Sequence, residues 1–65
     1  MSQSKDLADL LIAQIRKDMN DLADTLANGR AKSMEDYRYT CGVIRGLATA
    51  EQWVKDLAKQ LEEAA

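Results

Sequence analysis

The side chains of this chain that are able to do chemistry are few, and their spacing suits little of it. Histidine is absent and Cys41 is the single cysteine, so the commonest general base and a second thiol are both missing. Cys41 falls inside a helical pattern with no imidazole to activate it, which makes it a small packing residue. A disulfide within the chain and a structural zinc site lack ligands for the same reason. The carboxylates fare no better. Glu35-Asp36 and Glu62-Glu63 are adjacent pairs; neighbours do not share a helix face, and a cap and a solvated terminus account for them. Asp18, Asp21 and Asp24 recur every three residues. The first two can approach a cation, but without the loop of a calcium site they read as a solvated acidic face. No catalytic, cofactor-binding or metal-binding residue is assigned, and the chain is expected not to be an enzyme.

The basic residues are more suggestive. Arg30, Lys32, Arg38 and Arg45 crowd one part of the chain, with Tyr37 and Tyr39 interleaved. Residues 30–45 carry four positive and two negative charges, whereas the rest is net acidic. Arg38 and Arg45 are seven apart and share a helix face, so an electropositive end can meet an acidic protein surface or a phosphate backbone. The plainer reading is that these charges only keep that end in solution. A net charge of −2 argues against a nucleic-acid coat protein.

Two helices must position these groups. Ala8, Ile12, Ile15, Met19, Leu22 and Leu26 are spaced 4, 3, 4, 3, 4, a helical stripe that Leu7 and Leu11 widen. Ser2 or Ser4 can cap its start, and Asp6 and Asp9 suit the positive end of its dipole. Asn28-Gly29 is a helix stop, and Ser33-Met-Glu-Asp36 opens a new helix with Ser33 as cap. Val43, Leu47, Ala50, Val54, Leu57 and Leu61 repeat the 4, 3, 4, 3, 4 spacing, with Glu51 and Lys55 as an outer-face pair. The expectation is an all-α antiparallel two-helix hairpin: helix 1 about 4–28, turn 29–32, helix 2 about 33–63. Its buried set should include Ile12, Ile15, Met19, Leu22, Leu26, Val43, Leu47, Ala50, Val54 and Leu57.

Sixty-five residues allow one small domain. Such a chain buries only about 60% of its unfolded surface, and a two-helix hairpin has no true interior. Oligomerisation, as in a dimeric four-helix bundle, or docking on a larger assembly is the expected completion. At 1.5 Å per residue helix 1 is about 35 Å long and helix 2 about 45 Å, so one or two turns of helix 2, carrying Leu57, Ala58 and Leu61 or Leu61 at least, should overhang. The N-terminus lacks a signal-peptide layout and no apolar run is long enough to span a membrane, so a cytoplasmic setting is expected.

Gly42 and Gly46 interrupt helix 2, each costing about 1 kcal/mol against alanine. With Ala50 they form a small-residue ridge that another helix can approach closely, either helix 1 or a helix of another chain. Tyr39, Gly46, Ala50, Trp53 and Leu57 share one line, so groove and aromatic anchor can act together. Gly42 completes the expected partner surface, and Arg38 and Arg45 steer its partner. Trp53 can instead simply close the hairpin core.

The core Tyr37-x-Tyr39-x-Cys41-Gly42-Val43-Ile44-Arg45-Gly46-Leu47, continuing through Ala50-Glu51 to Asp56-Leu57, resembles a set of short helical proteins of tailed bacteriophages. These are mostly of unassigned function and tend to be encoded near head and connector genes. The resemblance covers helix 2 and brings no binding residues with it. It implies a phage origin and a structural or assembly role on or beside the virion, or in the host cytoplasm. The alternatives are a small phage regulator that binds a host protein, or a dimeric RNA-binding hairpin of the plasmid-encoded Rop kind. The Rop likeness is architectural alone; Arg16 and Lys17 with Arg45 are thin material for an RNA face.

Overall fold

A computed structural model describes the backbone of residues 3–64 and the side chains of residues 6–64. It is all-helical among the described residues: α1 runs Gln3–Ala27 and α2 runs Met34–Ala64, packed against each other as a hairpin. Each bound differs by one residue from the sequence expectation. The expected cap of α1, Ser2 or Ser4, lies outside the residues whose side chains are described.

The turn follows from local chemistry. Arg30 N–H donates to Thr25 O at 3.0 Å and Gly29 N–H to Leu26 O at 3.1 Å, the paired bonds of a Schellman stop. That geometry needs a left-handed residue, and Gly29 supplies it with φ of 69°. Ser33 then caps α2, its Oγ accepting from Asp36 N–H at 3.1 Å.

The core is thinner than expected. Ile15, 7% exposed, is the one buried hydrophobic residue among those described. Ile12, Met19, Leu22, Leu26, Val43, Leu47, Ala50 and Val54 are half-buried, and Leu57 is 56% exposed. The expectation that Leu57 belongs to the buried set fails for a simple reason. Each helix meets only one other, so a residue set off the contact line points past its partner into solvent.

The overhang also lies at the opposite end from the one expected. Arg16 of α1 pairs with Glu51 of α2. Thirteen residues separate Gln3 from Arg16 and thirteen separate Glu51 from Ala64, so the helices run flush to the open end. Toward the turn, eleven residues separate Arg16 from Ala27 but seventeen separate Met34 from Glu51. The first turn and a half of α2, about 9 Å, therefore projects beyond α1. Leu57, Ala58 and Leu61 lie opposite Leu7, Ala8 and Leu11 instead, around an open apolar groove of about 240 Å³.

Candidate protein-docking face

On α2, at about 100° per residue, Tyr39, Gly46, Ala50, Trp53 and Leu57 fall within about 60° of one another. Their common direction lies about 70° from the line of Val43, Leu47 and Val54 that meets α1, so most of the face looks out of the hairpin plane. Tyr39 is 75% exposed and Trp53 68% exposed. Trp53 therefore does not close the hairpin core. Gly42 sits at the rim of the same face.

The glycines settle what lies over them within the chain. A Cβ placed at Gly42 or Gly46 meets nothing within 4 Å. Helix α1 does not pack on the two glycines, so no described neighbour offsets their helix-propensity cost. At the open end the face continues across α1 through the groove lined by Leu7, Leu11, Leu57 and Leu61. The apolar surface thus spans both helices at the open end, whereas nearer the turn the same line of α1 is polar, carrying Gln14, Asp18, Asp21 and Thr25.

The flank beyond the α1 contact line is polar. Glu51 lies about 120° around α2 from Leu57. Its carboxylate accepts from Arg16 Nε at 2.9 Å and Arg16 Nη2 at 3.3 Å, a two-pronged bridge between the helices. Lys55 Nζ adds a third contact at 3.0 Å. The Glu51–Lys55 pair was legible in the spacing, but Glu51 lies against α1 rather than on the outer face expected for it; the Arg16–Glu51 bridge was not legible, because 35 residues separate the partners. The Arg16 hydrogen bonds, then that of Lys55, hold the Glu51 carboxyl down at about 2, against the opposing effect of desolvation.

The remaining candidates are scattered. Arg30, Lys32, Arg38 and Arg45 are exposed around the turn and the first half of α2, and none is in an ion pair among the described residues. Arg16 is held by Glu51 and Lys17 by Asp21 at 2.9 Å, so two of the three cations considered for an RNA face are engaged within the chain. Asp18 accepts from Gln14 at 3.0 Å, and no cluster of three metal-ligating side chains occurs among the described residues. Cys41 is half-buried and unpaired with sulfur. No described helix is long and apolar enough to cross a membrane. No family model, no curated protein and no solved structure matches this chain.

Proposed function

We propose that this chain is a non-catalytic phage structural or assembly protein that works by protein–protein contact, its own copies among the partners, through the outward face of α2. The observation that carries the reading is the uncovered aromatic face: Tyr39 and Trp53 stand in solvent on either side of two glycines whose Cβ positions no described residue approaches within 4 Å. Large exposed apolar patches on small proteins mark interaction sites, and tryptophan is enriched among the residues that dominate binding energy. The resemblance of the α2 core to short phage proteins encoded near head and connector genes supplies the setting. Unpaired Arg38 and Arg45 suit an acidic protein surface, adding association rate and register more than affinity.

Mass spectrometry of purified particles tests this directly. The expected result is the chain at a fixed copy number with the head or connector proteins. Its presence in infected cells but absence from particles would overturn the virion role.

A further inference from the structure

We propose that the α2 face is covered by α2 of a second copy, crossing antiparallel about a two-fold axis midway between Gly46 and Ala50. This rests on the reading of α2 as the partner-binding helix and names its partner.

Exposed area is the first support. A compact monomer of 7.2 kDa exposes about 4,100 Å². This hairpin exposes 5302 Å². Its radius of gyration is 15.0 Å, where a compact chain of this length has about 11 Å. The surplus surface, about 1,200 Å², exceeds the roughly 800 Å² that each partner contributes to a standard interface.

The pattern along the face is also complementary to itself. In a two-fold contact every residue pair occurs twice. With the axis at position 48, residues equally far on either side of it face one another. Tyr39 then meets Leu57, and Gly46 meets Ala50 where the backbones come closest. Trp53 arrives over Val43 and the empty space above Gly42 of the second copy. The largest side chain on the face thus lands beside a residue with no side chain, which suits interfaces packed as tightly as protein interiors.

Charge selects the direction. Arg38 and Asp56 lie on one flank of α2, about 90° from the face. The position that mirrors Arg38 is 58, two residues or about 3 Å along the axis from Asp56. Arg38 has no ion-pair partner among the described residues, and Asp56 accepts only from Gln52, at 2.9 Å. An antiparallel pair therefore forms the Arg38–Asp56 contact twice, at the two ends of one rim. On a coarser scale, residues 28–46 carry four positive and two negative charges, and the open end, 3–11 with 51–64, carries three positive and six negative. The antiparallel arrangement sets these unlike ends together, whereas a head-to-head stack sets like on like.

Sedimentation equilibrium of the full chain at micromolar concentration, with helicity followed by circular dichroism, provides the test. The wild type should be a dimer. Arg38→Glu and Asp56→Arg should each weaken it about tenfold, and the two together should recover to within about threefold of wild type. If a reversal lowers helicity, Arg38→Gln and Asp56→Asn give the same comparison, with the double variant no weaker than either single. A wild-type monomer, a dimer indifferent to the reversals, or no recovery in the double variant overturns the proposal. Failure of the virion reading looks different: a charge-dependent dimer that never enters particles ends that reading and leaves this one standing.

Discussion

Glu51 shows how much one side chain can do when a fold has almost no interior. With Arg16 it makes the one ion pair between the two helices among the described residues, and it also anchors Lys55 along α2. In the folded hairpin its carboxyl sits at about 2 against an ordinary value of 4.5, so as pH falls the unfolded chain takes up the proton first. Its contribution to stability is complete above pH 4.5 and fades as pH drops toward about 2. Acid titration by circular dichroism should show a loss of helix in that window, and Glu51→Gln should flatten it. An unchanged acid limb in the variant means that the bridge adds nothing in solution, the usual fate of exposed ion pairs.

At the scale of the element, α1 and α2 end and begin for local reasons, but the interior of α2 does not follow local preference. Gly42 and Gly46 lie in a helix that alanine would favour by about 1 kcal/mol at each position, and no described neighbour requires them. Gly46→Ala should therefore stabilise the hairpin by about 1 kcal/mol in urea denaturation at concentrations where it is monomeric. Gly46→Leu should remain folded yet lose association, because its side chain fills the space at the proposed crossing. A Gly46→Ala variant that melts lower means that something within the chain does approach this position.

At the scale of the whole molecule, one buried side chain and a ring of half-buried ones among the described residues leave the hairpin marginal by itself. Its melting midpoint should rise with protein concentration, as for any fold completed by self-association. Trp53→Ala removes little from the monomer, since Trp53 is 68% exposed, but truncating such an anchor typically costs about 2 kcal/mol or more of binding. The variant should keep its helicity, match the wild-type melt at low concentration and lose the concentration dependence. If Trp53→Ala instead lowers the melt at every concentration, the indole supports the fold and the docking face loses its anchor.

Most of the local architecture was legible without coordinates. The 4, 3, 4, 3, 4 stripes specify two amphipathic helices because side chains three and four apart share a face. Asn28-Gly29 and Ser33 mark the turn because a left-handed stop and a capping hydroxyl are short-range devices. The candidate face was legible only as a line of residues on one helix. Periodicity gives the angle of a residue around its own axis and says nothing about where the second helix lies. Only the tertiary structure decided that α1 packs beside the glycine ridge and leaves it open. Register was hidden for the same reason: the Arg16–Glu51 bridge joins residues far apart in the chain, and the packing it accompanies sets the overhang at the turn. A two-helix contact is narrow, so a rotation of one helix by a single residue's angle decides whether Leu57 and Trp53 are core or surface.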